Sequence, residues 1–510
     1  MSPARRGRRG RRARASADRA AAAITQPLLR IPPYEVATAE QVAEIHDASM
    51  RILEEAGIAF YDDEAHRILT DHGVAVDDDG IARFDRALVE ELVEAAPAEF
   101  THLARNPERS VVVGGDHIVF APVAGPPFVE DRGGGRREGT YDDLVAFVKM
   151  TQTTPYLHCQ GTEIVVPNDV AFHERGLDIV YAHLRHGDKP IMGHYPVGVT
   201  ARDSVEMARI VFGAETVESN HVLLGTVNVS SPRRLDDRML GALIAYVRAN
   251  QPVMITPFVL AGAMGPASIL GSVAQANAEA LAGVVFAQMV RPGVPVVYGP
   301  FLATVDLQSG SPVMGSAEST LAQFLASQMA RRYELPFRAA GGYTSGKRPD
   351  GQSGIEAAIS SFSSLLSKPN FVLHAAGWME NGLTTSYEKF ALDLELLGVL
   401  LRMAEGVPWG PEEWAFDAVL EEVPPGGHHL GTAHTLGRFR TAFHRPDLFD
   451  YDSFETWNAA GAASAEERAA RAWRDLLDRW EDPGLDEAVD EELHDYMERR
   501  RREIDPAEFQ

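Results

Sequence analysis

Two stretches of this sequence set glycine, histidine and aromatic residues close enough together to do chemistry. They are AAGGYTSGKRPDGQSG (339–354) and VLHAAGWMENG (372–382). Gly341 and Gly342 let backbone N–H groups approach a ligand closely. Such a nest suits a carboxylate as well as a phosphate, and turn formation is an equal reading of the pair. The loop lacks the G-x-x-x-x-G-K-[ST] spacing of a phosphate loop, and Lys347, Asp350 and Gln352 are placed to line it. His374 ends an apolar segment, with Trp378 at its rim and Glu388, Asp393 and Glu395 following on a helix. It is either a ligand-binding histidine or a core histidine bonded to backbone, and both readings stay open.

Metal chemistry is the first alternative. His158, His194, His374, His428, His429 and His434 all fall near the ends of apolar segments. A metal hydrolase would want several of these plus an aspartate, often with an H-x-H pair. No H-x-H occurs in the chain. The neighbours His428 and His429 point to opposite faces of extended backbone. The expectation is therefore no catalytic metal. The single cysteine, Cys159, is read as a small core residue. It excludes an internal disulfide framework and Cys-rich metal sites, and fits a reducing cytoplasm.

The elements that must position these residues form a repeat. Short apolar segments recur at YLHCQG (156–161), PIMGHY (190–195), HVLLGTVNV (221–229), PVMITPF (252–258), PVVYGPF (295–301), PFRAAGGYT (336–344), NFVLHAAGW (370–378) and, more weakly, GGHHLGTAHT (426–435). Each is too short for a free-standing helix and apolar enough for a strand buried on both faces. Between them lie amphipathic stretches, among them Ala201–Phe212, Arg238–Arg248, Ala274–Met289 and Thr320–Arg332. Eight such units predict an α/β fold, a (β/α)8 TIM barrel, whose active site forms where strands end. His158, Gln160, His194, Asn228, Thr256, Tyr298, Gly341, Gly342 and His374 fall at those ends.

The division expected is a tail over 1–30, an N-terminal mainly helical cover over 31–155, the barrel over 156–440 and a C-terminal helical extension over 441–510. Thr38 and Gln41 make a capping box for a helix through 39–56 that Gly57 stops. Asp62–Gly73 and Asp85–Ala95 read as further helices. VVVGGDHIVFAPVAGPPFVED (111–131) reads as a hairpin turning at Gly114–Asp116. Thr140 caps the helix that follows, and Ser464 with Glu467 opens a charged helix running to Arg501.

Composition narrows the classes. Of 510 residues 45% are hydrophobic, ordinary for a globular protein, and no stretch reads as a transmembrane span. The first twenty residues hold eight arginines and one aspartate. The chain as a whole is at −25, which leaves −32 on the rest. The basic segment is read as a disordered tail, and so acidic a body repels nucleic acid. No D-x-H-x-x-G run is present, so a corrinoid bound by this chain is not expected.

The motifs IHDASMRILEEAGI (45–58), ARNPERSVVVGG (104–115), the run TPFVLAGAMGPASILGSVAQANAEALAGVVFAQMVRPGVPVVYG (256–299), DGQSGIEA (350–357), VLHAAGWMENGLTTSYEKFALDLELL (372–397) and PPGGHHLGTAHT (424–435) resemble the trimethylamine methyltransferase (MttB-type) family. They resemble above all its branch without pyrrolysine, which includes glycine betaine:corrinoid methyltransferases. The resemblance runs from about Tyr34 to the Trp457 region and leaves out the basic tail. It implies a (β/α)8 fold and methyl transfer from a quaternary amine to cob(I)alamin on a separate corrinoid protein. It also implies donor binding by Asn228, Gly341–Gly342 and His374. The donor's ammonium would meet the rings of Tyr195, Phe258, Tyr298, Tyr343 and Trp378, and a carboxylate would meet His374 and the Gly341–Gly342 N–H groups. A metal-dependent barrel hydrolase and a non-catalytic binder of quaternary amines are the competing readings. A homo-oligomer is compatible with all three.

Overall fold

The computed structural model describes residues 26–509. The expectation of a disordered tail over 1–30 falls almost wholly outside them. The capping signals act as the sequence implies. Thr38 with Gln41, Thr140 with Asp143 and Ser464 with Glu467 each form a reciprocal capping box. They open the helices Ala39–Arg51, Tyr141–Thr153 and Ala465–Asp478. The first continues as a π turn over Ile52–Ala56 and stops at Gly57, whose φ is 70°.

The architecture is mixed α/β around a curled, half-barrel sheet. We number the strands of the central sheets β1 Val119–Phe120, β2 Ile191–Met192, β3 Leu223–Val229, β4 Val253–Ala261, β5 Val296–Tyr298, β6 Phe301–Val305, β7 Arg338–Ala339 and β8 Phe371–Val372. Strands β2, β3, β4 and then β5 and β6 pair in parallel, and β7, β8 and β1 form a second parallel group. Both faces are covered, which is why these strands read as unbroken Val, Ile and Leu.

Three differences from the sequence reading stand out. Segment 156–161 carries no ladder; it lies extended, with His158 N–H on the Phe120 carbonyl and Gln160 N–H on that of Pro190. Segment 426–435 is not a strand: it turns through His429–Gly431 and enters the helix Ala433–Arg438. Its three glycines and three histidines supply no apolar face for a sheet to bury. A strand that the barrel reading did not include is β1, which pairs with β8. The hairpin expected over 111–131 instead pairs Glu99–His102 with Val111–Gly114, because β1 satisfies its backbone elsewhere.

Two helices also differ from expectation. The charged C-terminal helix is two, Ala465–Asp478 and Glu487–Glu503, since Pro483–Gly484 interrupts it. The helix Ile269–Val290 is long and apolar enough to cross a membrane, although the sequence reading found no such span. It is apolar all round because it is packed all round, between the helices Ala39–Arg51, Arg86–Glu94 and Ala317–Arg332.

Candidate functional site

The loops that leave β7 and β8 converge on one charged group. Arg338 lies in β7, is 4% exposed, and donates from Nη2 to the Tyr343 hydroxyl at 2.9 Å. Its Nε is buried without a partner, and no carboxylate among the described residues pairs with it. A buried guanidinium without a counter-charge is costly.

Beside it an aromatic wall is built ring by ring. Phe258 stacks on Phe301 at 5.5 Å, Phe301 meets Tyr343 at 4.7 Å, and Tyr343 meets Trp378 edge-on at 4.4 Å. His374 closes the wall against Tyr343 and Trp378 at 5.4 and 4.8 Å. The Trp378 indole N–H is buried and unpartnered.

His374 settles part of the question the sequence left open. Its Nδ1 accepts the Ala124 N–H at 3.1 Å, which places its proton on Nε2. Nε2 has no partner among the described residues. Burial, and then the charge of Arg338, hold the imidazole well below its usual range, so it is neutral. Its φ of 62° turns the backbone sharply at the end of β8. One nitrogen is thus structural, and the other is a free donor.

Gly341 and Gly342 serve different purposes. A side chain on Gly341 would put its Cβ 2.1 Å from the His374 carbonyl oxygen. The glycine is there so that two backbones can touch. The Gly342 N–H donates to that same carbonyl at 2.9 Å. It is therefore already committed and is not a free donor for an anion.

Beneath both loops lies the buried ion pair Lys389–Asp393, with side chains 2% and 4% exposed. Lys389 also donates to the Gly342 carbonyl at 3.3 Å, and Asp393 accepts the Gly377 N–H at 2.9 Å. The pair ties the loop carrying Tyr343 to the loop carrying Trp378. Burial pushes the Asp393 carboxyl up, against the opposing pull of Lys389.

A second polar group comes from earlier loops. Glu163 accepts from His194 Nε2 at 3.2 Å, and Thr256 donates to Asn228 Oδ1 at 2.8 Å. Tyr195 lies against Asn228. Burial, and then the charge of Glu163, push its phenol up, while Arg338 pulls it down. Tyr195 therefore sits within reach of both a negative and a positive side chain. Asn228 is the exposed residue of β3.

Other expected residues lie elsewhere. Tyr298 is fully buried and donates to Asn277 Oδ1 at 2.6 Å, facing the helix Ile269–Val290 and not the group around His374. The His158 Nδ1 accepts the Phe120 N–H at 3.1 Å, and burial with the nearby Lys189 charge pushes its imidazole down to about 3. Burial pushes the Cys159 thiol up to about 12, as fits a core cysteine. Gln160 bonds Gln152. Asp350 caps the helix Gly351–Leu366, Gln352 bonds Glu356, and Lys347 bonds the Ser345 carbonyl. Glu388 accepts the Trp473 indole N–H and the Arg132 backbone N–H, and Glu395 accepts the Leu448 N–H. His428, His429 and His434 stand apart from the site, on the surface segment after the helix Tyr387–Ala404. Among the described residues no three His, Cys, Asp or Glu side chains are grouped to hold a metal ion.

Sequence reasoning missed Arg338, Glu163, Phe301 and Lys389. Arg338 had a signal: it is a lone charge inside the apolar run PFRAAGG. A charge at such a position needs a partner, and the sequence around it supplies none.

Comparison with known proteins gives concordant results. The family model for trimethylamine methyltransferase (MTTB) matches residues 4–505. That span reaches beyond the motifs at both ends and takes in most of the basic segment that the motif reading left out. The glycine betaine methyltransferase of Desulfitobacterium hafniense is 38% identical over 475 residues, covering 93% of this chain and 98% of that protein. The proline betaine:corrinoid methyltransferase of Eubacterium limosum is 28% identical, covering 86% and 95%. The trimethylamine methyltransferase MttB of Desulfitobacterium hafniense is 24% identical, covering 90% and 92%. Among solved structures, the monomethylamine methyltransferase of Methanosarcina barkeri aligns with a TM-score of 0.52 at 11% identity, covering 93% of each chain. That likeness is one of fold.

Proposed function

The chain belongs to the trimethylamine methyltransferase (MTTB) family, and from that premise we propose that it moves a methyl group from a betaine to a corrinoid protein. The donor class follows from the relatives named for glycine betaine, proline betaine and L-carnitine. One observation on this chain carries it further: Arg338 is buried, lacks a carboxylate partner, and stands beside a wall of aromatic rings. A zwitterion answers both features. Its carboxylate would pair with Arg338 and accept the free Nε2–H of His374. Its ammonium would rest on the faces of Tyr343, Trp378 and Phe258, with Tyr195 and Asn228 opposite.

The chemistry asks little proton transfer of the protein. A quaternary ammonium already carries a good leaving group, a neutral tertiary amine. The partner's corrinoid supplies Co(I), the nucleophile that takes the methyl group. This chain's residues hold the donor by both charges, so that one methyl faces outward for in-line attack. The aromatic wall excludes water from the ammonium, and the Lys389–Asp393 pair keeps the two loops in register.

We also propose that the half-barrel closes into a (β/α)8 ring with β1 as its first strand and 157–161 as its second. Three sets of backbone bonds support this: Gln160 N–H on Pro190 with Met192 N–H on Gly161, Tyr298 N–H on Pro336, and His158 N–H on Phe120. So read, the barrel occupies about 119–372; Glu163, Tyr195, Gly341 and His374 follow strand ends, and Asn228 and Phe258 lie in the C-terminal halves of β3 and β4.

The test is to incubate the protein with reduced cobalamin and a panel of amines while following the visible spectrum. Glycine betaine or a relative should drive methylcobalamin formation. Activity with trimethylamine alone would overturn the reading.

His374→Ala should weaken donor binding by roughly ten- to a hundred-fold, the value of about 1.5–3 kcal/mol for a charge-assisted bond. The Ala124 N–H also loses its acceptor, so a small fall in melting temperature should accompany it. Calorimetry on this variant checks both effects. Because the folded imidazole is held neutral, donor affinity should stay flat between about pH 8 and pH 6. A site needing a protonated histidine would instead lose affinity as pH rises through about 6.5. The depressed value also means that the neutral ring's contribution to stability is complete above about pH 6.5 and is withdrawn as pH falls.

A further inference from the structure

Arg338 is not the only charge left without a partner. Glu163 follows the extended segment 157–161, and its side chain is 13% exposed. His194 Nε2 meets its Oε2 at 3.2 Å. Its Oε1 bonds nothing among the described residues, and no Lys or Arg among them forms an ion pair with it. Arg175 lies near enough to sense the carboxylate, yet its Nη2 is spent on the Val170 carbonyl at 3.2 Å.

His194 does not neutralise this charge. Its Nδ1 is buried without a partner. Gly176 seals that nitrogen, since a Cβ there would lie 2.7 Å from Nδ1. A second ring proton would be buried with no acceptor, which is costly. The ring that fits carries one proton, on Nε2, and donates it to Glu163. The carboxylate keeps its full charge.

Two opposite charges thus border one site, and they form no ion pair with each other. Tyr195 lies between them. After burial, the charges acting on its phenol are those of Glu163 and Arg338, in opposite directions. His374 stands at the Arg338 end, where burial and then that charge lower its imidazole. Leaving either charge unpaired in a confined site is unfavourable. One ligand relieves both, a zwitterion laid with its carboxylate at Arg338 and its ammonium at Glu163.

We infer that Glu163, oriented by His194, is the fixed counter-charge for the donor's ammonium and makes the site select zwitterions over carboxylates of the same shape. The inference rests on the betaine donor class proposed above. An aromatic wall alone attracts any cation. A carboxylate set opposite a guanidinium demands both charges on one molecule, and it disfavours a ligand that brings only the negative one.

The same charge has a different consequence for rate. In the transfer the C–N bond breaks with its electron pair left on nitrogen, while Co(I) supplies both electrons of its new bond to the methyl carbon. The positive charge on nitrogen fades toward the transition state. Glu163 therefore holds the bound donor more tightly than the transition state, and it acts on affinity and not on turnover. Once the amine is neutral that attraction is gone, which favours release of the product.

The test removes the charge from the protein and, separately, from the ligand. tert-Butylacetate has the shape of glycine betaine with carbon in place of the charged nitrogen. Glu163→Gln keeps an acceptor for His194 and loses the charge. It should weaken glycine betaine by roughly ten- to a hundred-fold, the remainder of a close ion pair after desolvation. It should not weaken tert-butylacetate. Calorimetric titration of both ligands needs no corrinoid. In turnover with reduced cobalamin, KM should rise by a like factor while kcat holds or rises. Circular dichroism and melting temperature should match the parent. Glu163→Asp keeps the charge but draws it back, so its preference for betaine over tert-butylacetate should fall between the two, and it gives the reading if Glu163→Gln does not fold. A preference unchanged in Glu163→Gln overturns the inference, as does an equal loss for both ligands or a fall in kcat at unchanged KM. Betaine bound with the expected preference but never demethylated would sink the proposed reaction and leave this assignment of Glu163 standing.

Discussion

Arg338→Ala should raise the dissociation constant for glycine betaine by on the order of a hundred-fold or more. Truncating one partner of a buried charge pair costs about 2–5 kcal/mol, and the donor carboxylate is the only counter-charge proposed for Arg338. The same variant should bind tetramethylammonium or choline no worse than the parent, because those cations bring no carboxylate. Isothermal titration with the three ligands checks this. Equal losses for all three would mean that the substitution collapsed the aromatic wall, since Arg338 also holds the Tyr343 hydroxyl. No loss for betaine would remove Arg338 from the binding site and with it the observation that carries the zwitterion reading. Arg338→Lys keeps the charge but cannot hold Tyr343 and a carboxylate in one plane, so its loss should fall between the two.

The second large effect is on stability. Lys389→Met should cost about 3–5 kcal/mol, because it leaves the Asp393 carboxylate buried without its partner. The melting temperature should fall by several degrees. The double variant Lys389→Met, Asp393→Leu should recover much of that fall, since replacing both charges removes the stranded one. Donor binding should not recover with it. The double variant lacks the bonds to Gly342 and Gly377, so the loops bearing Tyr343 and Trp378 lose their common tie. Calorimetric stability and donor affinity measured on the same pair of variants check both statements. A double variant with full affinity would show the pair to be a matter of folding alone.

Much of this molecule was legible in the sequence, for reasons that are local. Caps at Thr38, Thr140 and Ser464 depend on a side chain and a backbone three residues away, so they read correctly. The helices Gly198–Phe212 and Asp237–Arg248 declare themselves by period, and β3 and β4 by runs of Val, Ile and Leu. The family motifs are chemical identities at fixed spacing and need no coordinates. His374 and the double glycine stood out because glycine and histidine are rare company at the end of an apolar run.

What the sequence could not decide is everything that depends on which distant segment arrives opposite. β1 is two residues long and becomes a strand only because β8, about 250 positions later, supplies its partner. GGHHLGTAHT repeats the composition of a strand end but has no neighbour to pair with, and it folds into helical turns. Tyr298 and Tyr343 look alike in sequence. One hydroxyl meets a helix asparagine and the other meets Arg338, because Tyr298 ends β5 against the helix Ile269–Val290, whereas Tyr343 lies in the loop after β7 and folds back on that strand. The sequence alone determined the kind of chemistry, the class of fold and most of the helices. Tertiary structure decided which charge is left without a partner, and that absence can be read only once every other side chain has been placed.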